Sequence, residues 1–139
     1  MSISHEREQV IRERYITNNH FPRLLGIELD SIGDGNATLS LEVTEKLLQL
    51  QGVMHGGAIA SLIDTAVAMA IASTAEPTDR FTTVEMKVNY LSPISHGRAI
   101  ARATLIKKGR RIIVAECDVM DSGSKLVAKG LLTYIHLNQ

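Results

Sequence analysis

One apolar stretch in the middle of the chain constrains the fold more than any other feature. The stretch from Gln51 to Ala75 opens on glycines and then continues in Ala, Ile, Val, Leu and Met, with Asp64 as its one acidic residue. Such a composition favours a helix, and a helix that is apolar on nearly all faces must be buried on most of them. A membrane span is disfavoured, because the run is only marginally long enough, lacks a basic flank and carries an ionisable side chain near its middle. The sequence therefore predicts a buried core helix.

Length and charge exclude several classes of protein. The 139 residues correspond to a single domain, 1–139, and 15 basic and 15 acidic residues cancel to a net charge of zero. Nothing in this balance attracts nucleic acid or an anionic membrane, so neither is expected as a partner. Cys117 is the one cysteine and the residues after Met1 are charged. We therefore expect a cytoplasmic protein in a reducing compartment.

The chain outside this stretch predicts a short N-terminal helix and about six strands. Residues 1–22 form a helical extension that ends at His20-Phe21-Pro22, since proline removes an amide donor and disfavours helix in the residue before it. Gly33-Asp34-Gly35-Asn36 is a strong hairpin signal. In the strand after the helix, Val84, Met86, Val88 and Tyr90 form the buried side of an alternating pattern. The predicted strands span 26–32, 37–43, 83–90, 98–107, 111–120 and 126–136.

These elements fit together in one way. Most of the later strands are joined by tight turns, which favours an antiparallel sheet. A flat sheet covers only one face of a helix, so burial of this helix requires a strongly curled sheet wrapped around it.

The start of the helix resembles the signature of a known family. The pattern Gly52-x-x-His55-Gly56-Gly57, followed seven residues later by Asp64, is similar to that of the hotdog-fold acyl-CoA thioesterases of the phenylacetate-pathway type. Asn89-Tyr90-Leu91-Ser92-Pro93 extends the resemblance, which covers residues 24–135. It implies an α+β hotdog fold and hydrolysis of an acyl-CoA to free acid and coenzyme A. Coenzyme A would be part of the substrate, and no separate cofactor is implied.

The chemistry of thioester cleavage points to the same residues. The reaction needs a group that polarises the carbonyl and a base or nucleophile. Gly56 and Gly57 lie where a loop becomes a helix, so we expect unpaired amides and the positive end of the helix dipole there. The resemblance favours the Gly57 amide as polariser, with His55 shaping the turn. Taken alone, each of these three residues is more often structural than catalytic, and it is their joint occurrence with Asp64 that favours function.

Asp64 is the candidate base or nucleophile. A buried carboxylate is costly without hydrogen bonds, and natural cores rarely contain one without a function. Gly57 and Asp64 are seven residues apart, which corresponds to about 10 Å along one helix. One helix is therefore unsuited to supply both groups to one reacting centre. Two helices paired antiparallel about a twofold axis would supply them, so a dimer with two shared sites is expected. The resemblance implies the same dimer, often within a tetramer that is a dimer of dimers.

Three further positions carry expectations that come from the resemblance. Thr83 is placed where a hydroxyl helps to hold the water or the carboxylate, and the alternative is an outward-facing strand residue. Gln49 stands where many members carry Asn, so the amide is kept on a side chain that is one methylene longer. A basic turn could bind the phosphates of coenzyme A, or it could be an ordinary solvated hairpin tip. Its residues are Lys107, Lys108, Arg110 and Arg111.

Other functions fit the sequence less well. A non-catalytic acyl-CoA binding module leaves Asp64 unexplained, and a purely structural oligomer does so too. Hotdog dehydratases carry a tripeptide similar to His20-Phe21-Pro22, but theirs immediately precedes the central helix, which disfavours that reading. None of the five histidines are spaced as a local metal pair, so no metal is implied. Residues proposed to line the acyl pocket are Phe21, Leu24, Leu25, Leu47, Leu48 and Met69.

Overall fold

The structure, a computed structural model, describes residues 3–138. Within this range the chain forms one six-stranded sheet whose neighbouring strands are all antiparallel, in the order β1-β2-β4-β5-β6-β3. Its outer strands are β1 and β3. The strands are β1 (Glu28–Gly33), β2 (Asn36–Glu42), β3 (Phe81–Tyr90), β4 (Arg98–Lys108), β5 (Ile112–Met120) and β6 (Leu126–His136).

One long helix, α3 (Gly56–Ala72), is packed against the curled sheet. Between Ile59 and Ala70 its buried residues lie on one side of the helix, whereas Asp64, Thr65 and Ala68 on the other side are half-buried. The long helix against a curled sheet agrees with the predicted hotdog fold, but burial on most faces is found only near the end of the helix. The strands allow close approach because three of the side chains that β4 presents to the core are small, namely Ala99, Ala101 and Ala103. The buried helix residues are Ile59, Leu62, Ile63, Ala66, Val67, Met69, Ala70, Ile71 and Ala72. No helix between residues 3 and 138 is long and apolar enough to cross a membrane.

The N-terminal segment differs from the prediction in one respect. Helix α1 (His5–Arg12) runs into a π-helical turn at Glu13–Thr17, and a second short helix, α2 (His20–Leu25), follows. The prediction that His20-Phe21-Pro22 ends the N-terminal helix is therefore wrong, because this tripeptide begins α2. Pro22 lies in the first helical turn, where a backbone amide has no intrahelical partner to lose.

The first hairpin and the last strand agree with the sequence pattern. Asp34 and Gly35 form the two-residue connection between β1 and β2, and Gly35 has a φ of +81°, which glycine adopts without strain. The predicted last strand has the same bounds as β6.

Strand β3 departs from simple alternation at Val84. Thr83 pairs with Tyr134 of β6 while Glu85 pairs with Thr133, so Val84 is the extra residue of a bulge. The bulge places Thr83 on the helix-facing side of the sheet, and it leaves Val84 exposed. The prediction that Val84 and Tyr90 are buried is therefore wrong, since more than half of each side chain is accessible.

Gly130 of β6 lies where the sheet comes close to the helix. A Cβ atom at this position would lie 3.0 Å from Cγ2 of Ile63 in α3. We expect Gly130→Val to lower the free energy of unfolding by about 1–3 kcal/mol, because the added methyl groups push the helix from the sheet. Urea denaturation would measure this loss.

The neighbouring Leu131 is half exposed on the outer face of the same strand and supplies a matched control. Leu131→Val should change the free energy of unfolding by less than about 0.5 kcal/mol. Equal losses for the two variants would contradict the close contact between Gly130 and Ile63.

Candidate active site

The turn that precedes α3 presents His55, Gly56 and Gly57 at the surface. His55 is the N-cap residue, and its Nδ1 accepts a hydrogen bond from the Gly57 amide at 2.8 Å. The expectation of two unpaired glycine amides is thus wrong for Gly57. No acceptor for the Gly56 amide is present among residues 3–138. The Gly56 amide can therefore donate directly to a bound group, whereas the Gly57 amide can do so only when the His55 ring turns away.

Gln49 lies beside this helix start. Its backbone amide donates to the Val53 carbonyl, which closes the turn, and its side-chain Nε2 donates to Oε1 of Gln51 at 3.2 Å. Gln49 and His55 line the same open cavity of about 640 Å³. The structure therefore groups Gln49, His55, Gly56 and Gly57 at one end of α3.

The end of β3 covers the other side of the helix start. The Tyr90 hydroxyl donates to the Gly56 carbonyl at 2.9 Å, and the ring lies 3.2 Å from the position of a Cβ at Gly56. Ser92 and Pro93 line a cavity of about 260 Å³ together with Gly56 and Tyr90. A side chain at Gly56 would require the Tyr90 ring to shift by a few tenths of an ångström, so the close contact favours glycine there.

Asp64 forms the second group of the site, in the middle of α3. Its Oδ1 accepts one hydrogen bond from Thr83 Oγ1 at 2.8 Å and another from the Tyr134 hydroxyl at 2.6 Å. Of the two placements left open for Thr83, the structure shows the one beside the carboxylate. Within the described part of the chain Oδ2 receives no hydrogen bond. One carboxylate oxygen is held in place, and the other remains available to water or substrate.

Tyr134 is a residue that sequence reasoning missed. It is 3% exposed, and its single hydroxyl proton is shared between Oδ1 and the backbone carbonyl oxygen of Asp64, which lies 2.9 Å from the hydroxyl oxygen. Burial raises the pKa of Tyr134, and the charge of Asp64 raises it further, so the phenol stays protonated and keeps donating. Its strand was predicted, but its position opposite Thr83 follows from strand pairing, which no local pattern indicates.

The two groups do not meet within one protomer. Gly57 and Asp64 both belong to α3, and seven residues of helix separate them by about 10 Å. The basic turn lies at the opposite end of the helix from Gly57, where Lys108 Nζ donates to the Thr74 carbonyl at 2.6 Å. The side chains of Lys107, Arg110 and Arg111 make no ion pair within residues 3–138.

Comparison with known proteins identifies the family. The model of the thioesterase superfamily matches residues 51–128, which include the glycines, Asp64 and Thr83. The chain belongs to the thioesterase superfamily. Acyl-coenzyme A thioesterase 13 of Pongo abelii is 30% identical over 132 residues, which cover 93% of each chain. The 1,4-dihydroxy-2-naphthoyl-CoA hydrolase of Listeria monocytogenes is 34% identical over 103 residues, which cover 74% of this chain and 84% of that enzyme.

Solved structures of the superfamily have the same fold. The Escherichia coli PaaI protein, from the phenylacetic acid degradation operon, aligns with a TM-score of 0.89 at 25% identity, over 99% of this chain and 97% of that one. The hotdog fold of the thioesterase superfamily is thereby established for this chain, and the chain is a thioester hydrolase.

In this thioesterase, loss of the Tyr134 hydroxyl should impair catalysis. Tyr134→Phe keeps the ring but removes a donor to Asp64, so we expect kcat to fall about 10- to 100-fold with little change in KM, as is usual for a hydrogen bond to a charged group. Steady-state kinetics of wild type and variant in one buffer would show the effect, and an unchanged kcat would contradict it.

The raised pKa of Tyr134 also predicts how stability depends on pH. Above about pH 10 the unfolded phenol releases its proton while the folded one keeps it, so the free energy of unfolding falls as pH rises. Burial raises the pKa of Cys117 to about 12 and acts in the same direction. Denaturation at pH 9 and pH 11 should therefore show a smaller loss for Tyr134→Phe than for wild type, whereas equal losses would contradict the shift at Tyr134.

Proposed function

We propose that this thioesterase hydrolyses an acyl-CoA to the free acid and coenzyme A, with Asp64 as general base or nucleophile. The observation that carries the proposal is the geometry of Asp64, whose Oδ1 is held by two hydroxyls while Oδ2 is left for the reaction. The names of the two relatives, an acyl-CoA thioesterase and a CoA hydrolase, support coenzyme A as the thiol.

Two balanced reaction sequences start from this carboxylate. As a base, Oδ2 of Asp64 takes a proton from water, and the hydroxide adds to the thioester carbonyl. As a nucleophile, Oδ2 adds to the carbonyl itself, and water then hydrolyses the resulting anhydride. In both, the C–S bond breaks and coenzyme A leaves as a thiol after taking up a proton. After a single turnover in ¹⁸O-labelled water, label in Asp64 identifies the nucleophilic sequence with attack of water at the Asp64 carboxyl carbon, because the general-base sequence places label only in the free acid.

The carbonyl oxygen needs a donor as negative charge develops on it. We assign this role to the Gly57 amide, aided by the positive end of the α3 dipole. The Gly57 amide donates its hydrogen bond to Nδ1 of His55, so the substrate carbonyl must displace the His55 ring. Loss of an N-cap costs about 0.5–2 kcal/mol, which is small relative to the stabilisation of an oxyanion. His55 is exposed and has room to rotate.

A twofold dimer would bring the two groups together. Strand β3 is an outer strand of the described sheet, and pairing with a second β3 would satisfy its backbone groups. Antiparallel helices on either side of that axis would place Gly57 of one protomer opposite Asp64 of the other. Two such dimers could form the expected tetramer.

The basic turn lies about 15 Å beyond Asp64 along α3, at Lys108, and is a suitable place for the phosphates of coenzyme A.

Asp64→Asn tests the catalytic assignment. We expect thiol release from short-chain, medium-chain and aryl CoA thioesters to fall by about a hundredfold or more, because an acid–base group is lost. Thiol release by wild type and variant in one buffer provides the measurement. A variant that retains near wild-type turnover would contradict the proposal, whereas binding without turnover by wild type would favour a non-catalytic module.

Mixing of two inactive variants tests the shared site. Gly57→Val would place its Cβ 3.0 Å from the His55 ring and block the carbonyl position. A mixed dimer of this chain with Asp64→Asn contains one intact site, so refolding the two together should restore about a quarter of wild-type activity. The matched control mixes Asp64→Asn with Asp64→Ala, which leaves no intact carboxylate. Recovery no greater than this control would contradict a site built from two protomers.

A further inference from the structure

The peptide unit between Gly56 and Gly57 is held by a side chain of the sheet. Its N–H is the Gly57 amide, and its carbonyl belongs to Gly56. The Tyr90 hydroxyl donates to that carbonyl at 2.9 Å. Tyr90 is the last residue of β3 and pairs with Ala128 of β6, so its backbone is part of the sheet. A strand residue therefore contacts the same peptide unit whose amide is assigned to the thioester carbonyl.

We propose that Tyr90 is a positioning residue for the reaction, which orients this peptide unit and strengthens the hydrogen bond that the Gly57 amide donates to the developing oxyanion. The inference rests on the proposed function, since it assumes that the Gly57 amide polarises the carbonyl. It adds to that function a side chain that acts on the reaction through a backbone peptide.

The orientation of the amide follows from the planarity of the peptide. In a trans peptide unit the carbonyl and the N–H point in opposite directions, so a bond that holds the carbonyl also fixes the direction of the N–H. Gly56 and Gly57 have no side chains to restrict their backbone dihedral angles. An oxyanion donor is effective when it is aimed at the oxygen before the reaction begins. A contact from outside the helix therefore has most to contribute at a peptide between two glycines.

Gly56 provides the space for this contact. A Cβ atom at Gly56 would lie 3.2 Å from Cζ of the Tyr90 ring and 3.5 Å from its hydroxyl oxygen. A carbonyl oxygen has two lone pairs, so it can accept from Tyr90 as well as from an amide of its own helix. Among the side chains of residues 3–138, Tyr90 alone donates to the Gly56 carbonyl.

The bond from Tyr90 also makes the Gly57 amide a better donor. A carbonyl that accepts a hydrogen bond is polarised, and the N–H of the same peptide then donates more strongly. The gain grows with the charge of the acceptor, since hydrogen bonds to ionised groups are roughly twice as strong as neutral ones. It is therefore larger for an oxyanion than for Nδ1 of His55, which accepts from this amide at rest. An interaction that is strongest in the transition state changes kcat more than KM.

Tyr90→Phe tests the role in catalysis, because it keeps the ring and removes the donor. We expect kcat for CoA thioesters to fall about three- to tenfold, which corresponds to one hydrogen bond of ordinary strength. KM should change less than about twofold. Steady-state kinetics of wild type and variant would provide both values.

Thr104→Val is the matched control. It also removes an exposed hydroxyl from a strand, where Thr104 Oγ1 donates to Asn36 Oδ1 at 3.0 Å. Thr104 lies on β4, which β5 and β6 separate from β3. This variant should keep the wild-type kcat and KM.

The sequence also allows the peptide unit to be observed directly. Of the ten glycines, Gly56 and Gly57 are the one adjacent pair. In a chain labelled with glycine that carries ¹³C at the carbonyl and ¹⁵N at the amide, an NMR experiment that selects ¹³C bonded to ¹⁵N therefore shows a single signal. Tyr90→Phe should move the ¹³C resonance of Gly56 upfield, because a carbonyl that loses a donor is less polarised. Thr104→Val should leave it in place, as would a variant that is merely less stable.

Two results would overturn the inference. An unmoved signal in Tyr90→Phe would show that the hydrogen bond to the Gly56 carbonyl is absent in solution. A moved signal with kcat within about twofold of wild type would show that the bond exists but does not act on the reaction. Both results leave the proposed function standing, whereas activity retained by Asp64→Asn would overturn that function itself.

Discussion

Two hydrogen bonds to one carboxylate oxygen join the centre of the helix to the strands that cover it. A charge within an otherwise apolar helix is unfavourable unless donors replace water, and Thr83 and Tyr134 supply these donors from the adjacent strands β3 and β6. The bulge at Val84 is what turns Thr83 toward the helix, and pairing across the sheet sets Tyr134 opposite it. In the proposed mechanism, stability and chemistry use the same contacts, since the hydrogen bonds that compensate the partial burial of Asp64 also fix the orientation of its other oxygen.

The sheet can supply those donors because it lies close to the helix. Glycine at 130 and alanines along β4 remove side-chain bulk where the strands cross α3. Larger residues there would push the sheet and the helix apart, which would weaken hydrogen bonds that depend on their separation. The small residues of the sheet are therefore part of the architecture of the candidate site, although they lie outside the reacting centre.

The sequence predicted the fold and the two groups of the candidate site, which are the start of α3 and Asp64. The apolar run with its single Asp64 predicted the buried helix, and alternation with turn residues predicted all six strands. Contacts that depend on register were not accessible in this way: the bulge at Val84 inverts the facing of Thr83, and Tyr134 becomes a partner of Asp64 only through strand pairing. The start of α2 at His20 was also missed. A proline can lie in the first turn of a helix or just after the end of one, and the sequence alone does not distinguish the two.

We propose that Thr83 and Tyr134 act on the reaction through Asp64. The most direct test measures kcat/KM for Thr83→Val in the wild-type background and again in the Asp64→Asn background. With an intact carboxylate the substitution should lower kcat/KM about tenfold or more, whereas without it the further loss should be less than about twofold, since coupled groups are not additive. The same fold loss in both backgrounds would contradict the claim, because Thr83 would then act independently of Asp64.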